Sequence, residues 1–268
     1  MSVNQDNPEV LYEVSDAVAT VTLNRPERMN TISRPMLDGI CTALLAAERD
    51  PAVHEVVLTG SGRAFCVGLD LHEATGDEAG GIASDAQAKV TIDLKSTPPT
   101  VLFNMDTPVI CALNGSAAGY GMDLALGCDI RVMESLAKMS AAFTKRGIVP
   151  ESGGTWFLPR LIGWAKASEL IYTGRTLSAD QCLSMGLVNE VANSSALVRA
   201  REIALEIAAN APLAVQASKR LMRMGLTETF GDHVHHVFLQ LLPLLRTEDA
   251  REGMRAFVER RPAVFTGK

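Results

Sequence analysis

Residues 146–156, RGIVPESGGTW, set one carboxylate, Glu151, between an apolar approach (Ile148, Val149, Pro150) and a Ser152-Gly153-Gly154 turn that leads into Trp156, Phe157 and Leu158. Two chemistries fit that pattern. A carboxylate opening a helix complements the free N–H groups there and is held acidic, whereas one facing an apolar pocket is pushed up toward the range of a general base. The residue types alone leave both open.

Two glycine-rich turns are candidate partners for such a base. GSGRAFCVGLDLHE (60–73) reads as a strand ending in glycines, with Asp70 either capping a following helix or standing beside backbone N–H groups that the Gly68-Leu69 turn exposes to a ligand oxygen. NGSAAGYGMDLALGCD (114–129) places glycines at 115, 119 and 121 before an apolar helix whose first N–H groups lack intrahelical partners. An oxyanion at such donors is stabilised by roughly 3–4 kcal/mol per donor in acyl-transfer enzymes. Asp123 falls within the first turn of that helix, among Met122, Leu124, Ala125 and Leu126. It either supports the helix start or is buried, and a buried carboxylate must be paired, protonated or functional.

The Gly-x-x-x-Gly-x-Gly spacing also mimics a dinucleotide phosphate loop. It arrives after at least two strand–helix units, however, and no Tyr has a Lys four residues later, which argues against a nicotinamide-dependent dehydrogenase. His233, His235 and His236 are spaced to share a helix face, but no supporting carboxylate or cysteine pattern marks a metal site, so they read as solvated.

These residues need a scaffold, and 268 residues can bury a large core. The composition, 47% hydrophobic and 21% charged, is that of a globular chain. A net charge of −6 with scattered Lys and Arg argues against nucleic acid as a partner. Five widely spaced cysteines (41, 66, 111, 128, 182) without a CxxC pair read as free thiols, and the polar N-terminus and lack of a long apolar run imply no signal peptide and no membrane span. The expected location is the cytoplasm.

Alternation over 17–24 predicts a strand. Ser33 and Pro35 open a helix whose apolar residues run from Met36 to Leu45, and Asp50-Pro51 ends it. Residues 54–62, 107–115 and 129–133 predict further strands, so the class is α/β with parallel pairing. Residues 71–100, polar and glycine-rich, are expected to shape the substrate pocket. A composition shift near 195 predicts a core domain over 1–195 and a helical subdomain over 196–268.

Six stretches in order resemble the enoyl-CoA hydratase/isomerase (crotonase) family: ATVTLNRPERMNTIS, GRAFCVGLDL, PVICALNGSAAGYGMDLALGCDIR, RGIVPESGGTWFLPRLIG, TGRTLSADQCLSMGLVNEV and EGMRAFVERRPAVFTGK. The resemblance implies a core of repeated ββα units, a C-terminal helical region that builds homotrimers or dimers of trimers, and acyl-CoA substrates without a separate cofactor or metal. It places the thioester carbonyl on the N–H groups of Leu69 and Tyr120. It places coenzyme A near Arg25, Arg28 and Gly68, with Phe265 and Lys268 at the adenine end, and the acyl pocket near Phe143 and Trp156. Of the two glutamates typical of hydratases, the first falls at Asp123 and the second at Phe143, while Glu151 stands where several isomerases carry their acid. The resemblance therefore implies hydration of a 2-enoyl-CoA or a shift of a C3 double bond to C2. The competing readings are a CoA-thioester-binding protein with little catalysis and a thioester hydrolase of the same superfamily.

Overall fold

The computed structural model describes residues 9–70 and 97–268. Six strands form the main sheet. In spatial order they are β1 (Val10–Ser15), β2 (Val18–Leu23), β3 (Glu55–Gly60), β5 (Val109–Leu113), β7 (Ile130–Glu134) and β10 (Glu190–Ala192). Within this sheet, among the described residues, only β1 and β2 pair antiparallel, joined by Asp16 and Ala17 at φ 54° and 60°, the tight hairpin geometry that follows strand twist. A second sheet of short strands runs β4 (Ala64–Cys66), β6 (Ser116–Ala118), β8 (Lys138–Ser140), β9 (Thr176–Ser178). Successive strands thus alternate between the sheets: β3 to β4, β5 to β6, β7 to β8. The expected ββα repetition is present, and each crossing from one sheet to the other makes a turn on the same side of the molecule.

Alternation along the main strands sorts side chains to two faces. Val56, Leu58, Val109, Cys111 and Leu113 enter the larger core with Met36, Ile40 and Leu44 of α1 (Arg34–Arg49). That helix begins where the sequence predicts: the Ser33 hydroxyl accepts from Met36 N at 3.1 Å, a cap worth about 1 kcal/mol. On the opposite face, Val18, Val57, Ile110 and Val132 meet Ala196, Ala200 and Ala204 of the helix Ala196–Ala208. Alanine at every fourth position lets this helix lie close against the sheet.

The composition shift near residue 195 falls at the start of this helix. The helix Ala196–Ala208 is a layer of the core, and the chain leaves the sheet only after it. The next helix, Pro212–Met224, is tied back by charge: buried Lys219 donates to the Thr107 carbonyl at 3.0 Å and to Asp129 at 2.7 Å, and Arg223 pairs with Asp106 at 2.9 Å. Beyond it, Phe230–Leu244 buries none of its residues, leaving Phe230 at 84% and Phe238 at 54% exposure. No helix among the described residues is long and apolar enough to cross a membrane.

Candidate active site

The turns after β4 and β6 come together. Gly68, at φ +108°, adopts a conformation that side-chain-bearing residues rarely tolerate, and a Cβ there would stand 3.2 Å from the Ala118 carbonyl and 4.0 Å from Tyr120 N. The chain at 68–70 is pinned to Ile32, whose N–H donates to the Gly68 carbonyl at 2.8 Å and whose carbonyl accepts from Asp70 N at 2.9 Å. This parallel bridge turns the intervening Leu69 N–H to the other side. Tyr120 is the first residue of the helix Tyr120–Leu126, so its N–H has no intrahelical acceptor. Among the described residues, neither N–H has an acceptor. Two unspent backbone donors in adjacent turns are what an enolate or other oxyanion requires.

A pocket of about 370 Å³ opens over these turns. Of the residues named from sequence, Arg28, Gly68, Leu69, Tyr120, Phe143 and Glu151 line it. Glu151 is exposed at the mouth, yet the surrounding protein displaces enough water to raise its carboxyl above the ordinary glutamate value. Of the two opposing influences foreseen at this residue, burial outweighs the local backbone N–H. Phe143, 3% exposed, presents a ring with nothing to donate or accept.

Asp123 lies behind this surface. It is 1% exposed and does not line the pocket. Its Oδ2 accepts from the Ser152 hydroxyl and from Gly154 N, both at 3.0 Å, and Oδ1 has no hydrogen-bond partner among the described residues. Burial pushes its carboxyl up to about 7, against the lowering by those two donors. Gly154 makes the arrangement possible, since a Cβ there would come 2.2 Å from Asp123 Oδ1. Asp123 therefore grips the Glu151-Ser152-Gly153-Gly154 turn from inside, as a buried carboxyl with two donors on one oxygen.

Four other residues named from sequence do not line this pocket. Arg25 is spent internally, donating to Asp70 Oδ2 at 3.0 Å and to the Thr31 carbonyl at 2.9 Å, with Glu9 at 3.4 Å, and it does not line the pocket. Its acidic partners, Asp70 and Glu9, lie 45 and 16 residues away in sequence. Trp156 also lies off the pocket, edge-on to Phe103 at 5.2 Å and beneath the Arg160 guanidinium at 4.0 Å. It packs the helix Gly154–Ile162 against Pro98–Asn104. Phe265 and Lys268 are folded on the last helix, Glu248–Glu259: the Phe265 ring is 3.5 Å from where a Cβ on Gly253 would lie, and the Lys268 carbonyl accepts from Asp249 N at 3.0 Å. Neither lines the pocket of its own chain.

The capping role offered for Asp70 and the pocket-shaping role for 71–100 depend largely on 71–96, outside the described residues. His233 and His236 both approach Glu228, at 3.2 and 3.0 Å, and no metal-binding group of three such residues occurs among the described residues. Arg146 lines the pocket and was not singled out by sequence. Its only signal was a cation five residues before Glu151.

The enoyl-CoA hydratase/isomerase family profile matches residues 13–268. The chain is 37% identical to 1,2-epoxyphenylacetyl-CoA isomerase of Escherichia coli (strain K12), over 97% of this chain and 98% of that one. It is 36% identical to (E)-benzylidenesuccinyl-CoA hydratase of Thauera aromatica, over 96% and 99%. Among solved structures, an enoyl-CoA hydratase from Bacillus anthracis superimposes with a TM-score of 0.88 at 32% identity, covering 97% of this chain and all of that one. Its relatives carry both hydratase and isomerase names, and by this match along nearly its whole length the chain belongs to the enoyl-CoA hydratase/isomerase family.

Proposed function

We propose that the protein moves a carbon–carbon double bond in an acyl-CoA thioester from C3 to C2, with Glu151 as the single acid/base. The observation that carries this reading is the separation of the two carboxylates: Glu151 lines the pocket, whereas Asp123 is sealed behind Ser152 and Gly154. The thioester carbonyl accepts from Leu69 N–H and Tyr120 N–H. Glu151 takes the proton from C2, made acidic because the developing enolate oxygen is stabilised at those donors. Electrons shift toward C4, and the same carboxyl returns the proton there, which conjugates the double bond with the thioester. Its raised pKa suits a group that must both remove and return a proton near neutrality. Proton transfer of this kind asks for no redox group and no metal, and coenzyme A enters as part of the substrate.

Arg28 and Gly68 are the coenzyme A contacts this pocket supports within one chain, and Arg25 orders the loop beside them. The exposed apolar faces of the last helices favour self-association, which we infer to be a homotrimer or a dimer of trimers. In such an assembly Phe265 and Lys268 reach a neighbouring site. Five free, buried cysteines suit a reducing compartment, in keeping with a cytoplasmic location.

Hydration of a 2-enoyl-CoA is the second reading. It is favoured by the unpartnered Oδ1 of Asp123 and by a carboxyl poised at about 7 beside Glu151. Glu151→Gln tests the role of the base: loss of turnover with acyl-CoA binding retained supports the enzyme reading. Wild-type protein that binds acyl-CoA of several chain lengths without turning any over is a binding protein, and release of free thiol identifies a hydrolase.

A further inference from the structure

Two separate segments bring cations to the pocket: Arg28 from the turn after β2, and Arg146 from the segment that also supplies Glu151. Arg146 follows Phe143 on a short 3-10 turn, Thr144–Arg146. One nitrogen, Nη1, donates to the Ala142 carbonyl at 3.0 Å and holds the guanidinium over its own turn. No carboxylate among the described residues pairs with it. Glu151 in particular does not: its carboxyl is raised by burial, the opposite of what a neighbouring guanidinium does. Asp70, another acid lining the pocket, is held by Arg25.

Position along the substrate follows from the proposed chemistry. With the thioester carbonyl at Leu69 and Tyr120, the side of the pocket that carries Glu151 must face the acyl carbons, and the nucleotide leaves on the other side. Arg146 lines the pocket from the same segment, 143–151, that brings Phe143, Ile148 and Glu151 to it. A partly anchored, unpaired guanidinium presents a planar donor edge that matches a carboxylate. An unsubstituted hydrocarbon tail gives that edge nothing.

We propose that Arg146 is a specificity-determining residue that selects acyl-CoA thioesters whose acyl part carries its own anionic oxygen group, a carboxylate. The inference rests on the acyl-CoA reading above. The same donor edge would also accept a phosphate of coenzyme A, so the test must separate an acyl carboxylate from a nucleotide phosphate.

Calorimetric binding of unreactive, saturated thioesters does this without requiring turnover. Plain acyl-CoA and its ω-carboxy counterpart are compared at four, six and eight carbons, with the wild type, Arg146→Leu and Arg146→Lys. The expected result is at least about tenfold tighter binding of the carboxy ester at one of these lengths, the range of a charge-assisted hydrogen bond. Arg146→Leu abolishes that preference without changing affinity for the plain ester, and Arg146→Lys, which keeps charge but not the fork, retains part of it. Equal weakening of both esters by Arg146→Leu overturns the proposal and assigns the residue to coenzyme A. Binding of both esters without preference at any length overturns the proposal alone, whereas binding of neither overturns the acyl-CoA reading and the proposal with it.

Discussion

Glu151 and Asp123 belong to the two sides of one turn, and the difference between them is environmental. Glu151 faces the pocket, keeps contact with solvent and has its carboxyl raised by partial burial. Asp123 is closed in, holds two donors on one oxygen and leaves the other bare. The first can exchange protons with a substrate. The second commits one oxygen to the shape of the chain that carries the first. Two acids near one pocket therefore need not make a catalytic pair: access decides which reacts, and hydrogen bonding decides which positions.

Removing the acid/base is expected to have the largest effect. Glu151→Gln should lower kcat by about 10²- to 10⁴-fold with substrate affinity nearly unchanged, measured by isomerase kinetics alongside acyl-CoA binding. A loss below tenfold would erase the distinction between the two carboxylates. Gly154→Ala comes next, because the added methyl meets Asp123 Oδ1 at 2.2 Å. It should cost about 1–3 kcal/mol in thermal or denaturant unfolding and lower activity by displacing the Glu151 turn.

Asp123→Asn should lower kcat less than tenfold and change the pH dependence of stability. The folded-state pKa of Asp123, about 7, lies above its ordinary value of 3.8, so the folded protein holds this proton more tightly than the unfolded chain. Its contribution is fully favourable below pH 3.8 and is lost as pH rises through about 7. Unfolding temperatures measured from pH 4 to 8 should therefore decline less in Asp123→Asn than in the wild type. An unchanged slope would mean that Asp123 is not the buried acid described above. Ser152→Ala is the mildest, removing one donor to Asp123 at a cost of about 1 kcal/mol and, because that donor lowers the Asp123 pKa, moving the upper end of the pH-dependent decline in stability slightly toward higher pH. Full retention of the wild-type profile and stability would show that Ser152 does not support the turn.

The repeated strand–turn pattern was legible because long buried strands such as Glu55–Gly60 and Val109–Leu113 declare themselves by composition, and the glycines mark where they turn. The strands of the second sheet did not: Ala64–Cys66 and Ser116–Ala118 are three residues each, too short for a period. The hairpin strand Val10–Ser15 mixes exposed Leu11 and Val14 with polar residues and also escaped. In the site, the meeting of the turns at Leu69 and Tyr120 with Glu151 around one pocket was readable because glycine turns and a lone acid are local signals. Arg25, Trp156 and Asp123 were ambiguous because their roles depend on partners distant in sequence: Asp70, Phe103 and Ser152. The helix Ala196–Ala208 packs on the sheet through its alanines, and alanine spacing does not reveal which surface a helix will cover.

Proton NMR in deuterated buffer tests the central claim most directly, with purified protein and a 3-enoyl-CoA as substrate. A single base at Glu151 predicts that the conjugated 2-enoyl thioester accumulates, that deuterium enters at the carbon receiving the returned proton whenever the carboxyl exchanges with solvent, and that no 3-hydroxyacyl product forms. Accumulation of the 3-hydroxyacyl thioester would contradict this account: water would then be activated at this site, and Asp123 would have to act with Glu151 as a catalytic pair.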